Sequence, residues 1–275
     1  MLKQRVITAS ILIPLVVWGI FSLPTFPVFA SIIGLIVLLG AQEWIRLINL
    51  KPKQQQRTYL LVIIALLLAS YTLMQNALVF NLLLFASVVW WTLQILNLSS
   101  YDGEQGFDQS SSLGNLWTGS ILLVPTWASL MFLHQQPEIG PGLLLLLLLL
   151  IWAADSGAYF AGRKYGKNKL APLVSPGKTK EGAYGAFAAS AIVALIGGFW
   201  LDLGFFQLVS FLLLSFIVVI YSIGGDLLES VYKRRAGVKD SGALLPGHGG
   251  VLDRIDSLMS AAPIFTFGIW LLGLI

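Results

Sequence analysis

Residues 211–225 read FLLLSFIVVIYSIGG, an apolar run that ends abruptly in the charged stretch DLLESVYKRR at 226–235. A helix needs about 20 predominantly apolar residues to cross the hydrocarbon core of a bilayer, and this run with its apolar approach from Phe205 supplies them. Residues 142–154, GLLLLLLLLIWAA, form a second run of the same kind. Both are continuous rather than alternating, which excludes the lipid-out, lumen-in pattern of a β-barrel strand. The whole chain agrees: 57% of its residues are hydrophobic and 11% charged, with mean hydropathy +0.82, whereas a soluble domain carries roughly 25% charged residues. An all-α polytopic membrane protein is expected.

Working outward, the apolar pattern predicts nine transmembrane helices, at about 6–23, 28–45, 59–75, 78–97, 114–133, 142–162, 182–201, 207–228 and 256–274. The N-terminal run is long for a secretory leader and is read as a retained first helix. Pro125 should kink the fifth span unless its neighbours satisfy the freed carbonyl. In a nine-span topology all 17 Lys and Arg residues fall on one face. The positive-inside rule then places the N-terminus in the cytoplasm and the C-terminus outside. Such a chain belongs in the cell (inner or plasma) membrane as a multi-pass protein with its polar residues toward the cytoplasm. The same topology accounts for the basic pI, so nucleic-acid binding is not implied. The chain has no Cys, which excludes disulfides, thiolate metal sites and a catalytic thiol. The acidic connection at 99–112, SSYDGEQGFDQSSS, reads as a solvated loop.

The unusual chemistry lies after Trp152. Residues 1–110 read as membrane scaffold, and 111–275 as a catalytic membrane domain. A carboxylate in or beside a span costs about 2.5–3.5 kcal/mol or more unless it is paired, hydrated or bound to metal. Asp155, Asp226, Glu229, Asp253 and Asp256 all stand near predicted span ends. Asp226 with Glu229, and Asp253 with Asp256, are three apart and share a helix face. Ser222 and Ser230 flank Asp226 at four residues, and Tyr159 follows Asp155 by four. Oxygen ligands arranged this way suit a hard cation such as Mg²⁺; the competing explanation is simple pairing with Lys233, Arg234 or Arg254. In SPGKTKEG, 175–182, a turn carrying Ser175, Lys178, Thr179 and Lys180 precedes a helix start and could cradle phosphate. It lacks the Walker spacing, and no strand is expected before it. In PGHGG, 246–250, Gly247, Gly249 and Gly250 allow close backbone approach, and His248 is one of two histidines in the chain.

The run SVYKRRAGVKDSGALLPGHGGVLDRID, 230–256, resembles the signature of phosphatidate cytidylyltransferases, also called CDP-diacylglycerol synthases: S-x-x-K-R, K-D, P-G-H-G-G and D-R-x-D. S-P-x-K-T-x-E-G at 175–182 and G-D-x-x-E-S at 225–230 are similar to the same family. Gly177 departs from it, since many members carry Lys there. The resemblance is strong over about the last 125 residues, while the earlier spans match as generic membrane helices.

The resemblance implies transfer of the cytidylyl group of CTP to phosphatidic acid, giving CDP-diacylglycerol and pyrophosphate. It implies Mg²⁺ around Asp226 and Asp253, with Asp256 and Glu229 in support, and leaves room for a second cation such as K⁺. Lys178, Lys180, Lys233, Arg234, Lys239 and Arg254 would neutralise phosphates, and Ser175 and Thr179 would donate to phosphate or ribose. Gly249 and Gly250 would border the substrate, and His248 would lie beside it with its role open. Membrane lipids surround such a protein, and the N-terminal spans allow a homodimer. Two rivals fit less well. The CDP-alcohol phosphotransferase pattern of aspartates is absent, and a secondary transporter would show repeated halves and mid-membrane charges.

Overall fold

A computed structural model describes residues 2–98, 101, 112–244 and 249–275. Nine α-helices are present among them: α1 (Leu2–Ser22), α2 (Ala30–Leu47), α3 (Lys53–Leu73), α4 (Ala77–Asn97), α5 (Ser112–His134), α6 (Gly140–Tyr165), α7 (Lys180–Trp200), α8 (Phe205–Arg235) and α9 (Leu252–Leu271). Between α6 and α7 lies a two-stranded hairpin, β1 (Lys169–Ala171) and β2 (Ser175–Thr179). The acidic stretch at 99–112 lies outside the described residues apart from Tyr101 and the first residue of α5.

Among the described residues, seven helical segments are long and apolar enough to cross a membrane: 25–47, 53–73, 77–97, 113–134, 140–165, 180–200 and 205–235. This is a polytopic helical membrane protein. Two of the nine expected spans do not meet the same standard. The described apolar part of α1, Ser10–Ser22, is short, and α9 carries Asp253, Arg254 and Asp256 in its first turns. Most of α9 is buried against other helices rather than offered to lipid: Met259, Ala261, Ala262, Phe265 and Ile269 are all fully covered. Pro125 and Pro263 lie inside α5 and α9 without ending them.

One buried apolar cluster includes side chains from Ile20 and Trp44 through Trp91 to Phe265 and Ile269. Helices on both sides of residue 110 therefore share a core. The two helices bordering the hairpin, α6 and α7, meet through glycines: a Cβ at Gly157 would strike the Gly185 carbonyl, and one at Gly185 the Gly157 carbonyl. Close backbone approach through small residues is how membrane helices gain packing when lipid offers no hydrophobic drive.

Two local features differ from the expected pattern. A strand does lead into α7, because the Pro-containing polar link after α6 cannot continue as helix and pairs with itself, with Lys169 opposite Thr179 and Ala171 opposite Ser175. The eighth helix also runs past the predicted end at 228, to Arg235. At about 1.5 Å per residue its 31 residues extend about 46 Å, well beyond a hydrocarbon core of about 30 Å. Its last two turns therefore carry charge beyond the apolar part.

Candidate active site

That extension puts Asp226, Glu229, Ser230 and Lys233 on one face of α8, spaced by three and four residues. Ser230 Oγ donates to Asp226 Oδ1 at 3.3 Å. The hairpin delivers Lys178 to the same carboxylate, Nζ to Oδ2 2.8 Å, and Lys178 Nζ also reaches the Ile223 carbonyl at 3.4 Å. Thr179 ends the hairpin and caps α7, its Oγ1 accepting from Gly182 N at 3.0 Å. Glu181 in turn accepts from Lys167 N at 3.1 Å and from Asn168 Nδ2 at 2.7 Å, fastening the hairpin's base to α7.

One turn further along α8, Lys233 Nζ bridges Glu229 Oε2 and Asp253 Oδ1, each at 2.8 Å. The other oxygen of Asp253 accepts from Ser241 N at 2.9 Å and Gly250 N at 2.7 Å, and Ser241 Oγ lies 3.0 Å from it. A first-turn aspartate also complements the positive end of the helix dipole. The two helices touch where Gly225 leaves room: a Cβ there would meet Ser260 Oγ and the Asp256 carbonyl. Asp256 lies within electrostatic reach of both Asp226 and Glu229, and Asp155 on α6 within reach of Asp226. A cavity of about 230 Å³ opens among these elements, walled by Asp155, Lys178, Thr179, Ile223, Asp226 and Ser257. A larger recess of about 370 Å³ between α2 and α3 is lined by Arg46, Lys53 and Arg57 with no carboxylate.

A residue from the opposite end of the sequence completes this arrangement. Val251, the residue before α9, offers no side-chain cap, and the helix's first amides turn instead to Glu43 of α2. Glu43 Oε1 accepts from Val251 N and Oε2 from Leu252 N, both at 2.9 Å. Ser241 Oγ donates to Glu43 Oε2, also at 2.9 Å. Trp44 packs at a tilt against Tyr232 of α8, ring centroids 4.5 Å apart, and so brings the neighbouring carboxylate into the junction. Nothing in the sequence reading pointed to Glu43. The signal was available: it is the only acidic residue before Asp102 and sits within a predicted span.

A sequence model described as "Cytidylyltransferase family" matches residues 3–272. The chain belongs to that family. It is 43% identical over 273 residues to "Phosphatidate cytidylyltransferase" of Pseudomonas aeruginosa, covering 99% of this chain and 98% of that one. The protein of the same name from Haemophilus influenzae is 40% identical, covering 97% and 98%. That from Thermotoga maritima is 34% identical, covering 96% and 94%. The likeness thus extends through the N-terminal helices, which had matched only as generic spans.

The cytidylyltransferase motifs converge unevenly. S-P-x-K-T, G-D-x-x-E-S, S-x-x-K-R and D-R-x-D meet through Lys178, Asp226, Glu229, Lys233 and Asp253. Gly249 has φ +80°, and a Cβ there would also crowd Asp253, which explains a glycine in that turn. A Cβ at Gly250 would strike Ser241 Oγ and the Glu43 carboxylate. Arg234 is exposed and spans the Val174 and Val238 carbonyls at 3.3 and 3.4 Å, a clamp between hairpin and loop. Lys180, Lys239 and Arg254 are exposed, Ser175 is half-buried, and His248 and Gly247 lie outside the described residues.

The donor chemistry fits a hard cation. Glu229 Oε1 is buried with no hydrogen-bond partner, close to Asp256, and carboxylate oxygens are what Mg²⁺ binds. Asp253 is less available, since both its oxygens are engaged. Among the described residues no three acids stand grouped as a ready-made metal site.

Proposed function

We propose that this protein transfers the cytidylyl group of CTP to phosphatidic acid, releasing pyrophosphate, and does so at the cytoplasmic face of the cell (inner or plasma) membrane. The observation that carries the reading is the meeting of four family motifs, from two helices and a hairpin, around the Asp226–Lys178 pair with its cavity and the adjoining Lys233 bridge. Placement at that face follows from substrate physics: acyl chains stay in the bilayer while the nucleotide arrives from water. The Lys and Arg residues gathered at span ends support the same side.

The phosphate oxygen of phosphatidic acid attacks the α-phosphorus of CTP in line, forming the new P–O bond as the bond to pyrophosphate breaks. The attacking group is already ionised near neutral pH, so no protein base has to remove a proton. The chain's task is positioning and charge neutralisation. Lys178, already held at the cavity by Asp226, is placed to meet a phosphate; Arg254, Lys239 and Lys180 supply further positive charge from exposed positions. The Thr179 hydroxyl, whose oxygen caps α7, keeps its hydrogen for a phosphate or ribose oxygen, with Ser175 on the same strand. Gly249 and Gly250 let the backbone come close. Lys233 is buried between two acids and holds them in register. Asp226, Asp256 and Glu229 would hold Mg²⁺, with Asp253 beside them, and the ion would offset phosphate charge in the transition state; a K⁺ ion is a candidate second cation. His248 borders this region in sequence, and the N-terminal helices are candidates for a homodimer contact.

The test is purified protein in detergent with labelled CTP, phosphatidic acid and Mg²⁺, assayed with and without EDTA. Lipid-soluble label that requires both phosphatidic acid and the metal is the expected result. Folded protein that yields none across several lipid mixtures defeats the proposal.

A further inference from the structure

The geometry points to Glu43 as a positioning residue for this reaction, an inference that rests on the cytidylyl-transfer reading. Glu43 is 5% exposed, yet neither of its oxygens is wasted: each accepts a backbone N–H from the start of α9, and one also takes the Ser241 hydroxyl. Ser241 Oγ stands between two carboxylates, 2.9 Å from Glu43 and 3.0 Å from Asp253. Glu43 and Asp253 therefore share the one hydroxyl hydrogen of Ser241 and are held in one loop through the amides of 241 and 250–252. Displacing Glu43 moves Asp253, and Asp253 moves Lys233 against Glu229 on α8. No other described side chain links an N-terminal helix to the D-R-x-D segment by an ionisable group.

The two-sided acceptor pattern makes the role testable. A carboxylate can face N–H donors with both oxygens, whereas an amide must turn its own NH₂ toward one of them. Glu43→Gln keeps the size and introduces a donor–donor clash at Val251 or Leu252. Misplacing reacting groups by about 1 Å can cost roughly a hundredfold in rate, so kcat for Glu43→Gln should fall between about tenfold and a hundredfold. Because Glu43 is buried and outside the cavity lining, KM for CTP should stay within about threefold. Ser241→Ala removes only the shared hydroxyl, and its loss in kcat should be non-additive with that of Glu43→Gln. Asn76→Ala deletes the side-chain cap of α4, where Asn76 Oδ1 accepts from Val79 N at 3.2 Å. It measures a purely structural loss and should lower Tm with kcat unchanged.

Kinetics of CDP-diacylglycerol formation and thermal unfolding are measured on wild type, the three single variants and the Glu43→Gln/Ser241→Ala double variant, which closes the cycle. An inactive wild type would remove the underlying functional reading. With an active wild type, folded Glu43→Gln at wild-type kcat overturns the inference, and so do kcat losses for Glu43 and Ser241 that simply multiply. If Glu43→Gln does not fold, Ser241→Ala decides alone: a kcat loss with unchanged KM supports the inference, and unchanged kcat overturns it.

Discussion

Two charge stations stand one helical turn apart on α8, and their surroundings differ. At the outer one, Lys178 and Asp226 have side chains 23% and 31% exposed. At the inner one, Lys233 is 11% exposed, Glu229 0% and Asp253 6%. The outer pair touches a cavity and has room to exchange partners. The inner trio is enclosed, and each removed partner leaves charge without water. A pair that can open suits binding, and a trio that cannot suits alignment. The same residue types, on one helix face, are thus divided by burial into different work.

The sharpest way to break this comparison is Lys233→Met, which keeps the packing stem and strands two buried carboxylates. Breaking a buried ion pair from one side costs about 3–5 kcal/mol, so a large fall in Tm and little soluble, folded protein in detergent are expected. Next is Gly250→Ala, whose methyl group must displace Ser241 Oγ and the Glu43 carboxylate. Overpacking of this kind costs about 1–3 kcal/mol, read as a smaller Tm shift accompanied by reduced turnover. The smallest structural effect belongs to Asp226→Asn. Partly exposed pairs contribute about 0–1 kcal/mol, so Tm should scarcely change, while turnover should drop by about a hundredfold or more if the carboxylate serves transition-state charge. Equal thermal losses for Asp226→Asn and Lys233→Met would erase the distinction between the stations.

The helices were legible because the signal for a membrane span is local and repeated. Apolar residues such as those at 142–154 and 211–225 announce themselves without reference to any partner. The α8 face was legible as far as Ser230, since helical period alone aligns Ser222, Asp226, Glu229 and Ser230. The end of α8 was harder: charged residues after 228 resemble a loop by composition, yet Lys233 and Glu229 pair only because the helix continues. The hairpin before α7 was missed because two short strands of polar residues carry almost no periodic signal, and their pairing depends on where α6 and α7 leave their ends. Lys178 was read as a phosphate ligand; its Asp226 partner lies 48 residues away in sequence.

By itself, then, the amino-acid sequence determined a polytopic helical membrane protein, the helix faces that carry charge, and a family signature written in contiguous motifs. All of these follow from chemistry within one helix length. Only the tertiary structure decided which charges meet: Lys178 with Asp226, Lys233 between Glu229 and Asp253, and Glu43 at the start of α9 across about 200 residues of chain. Those choices depend on how helices pack, through Trp44 on Tyr232 and Gly225 against Asp256, and packing is a property of pairs of surfaces rather than of any one segment.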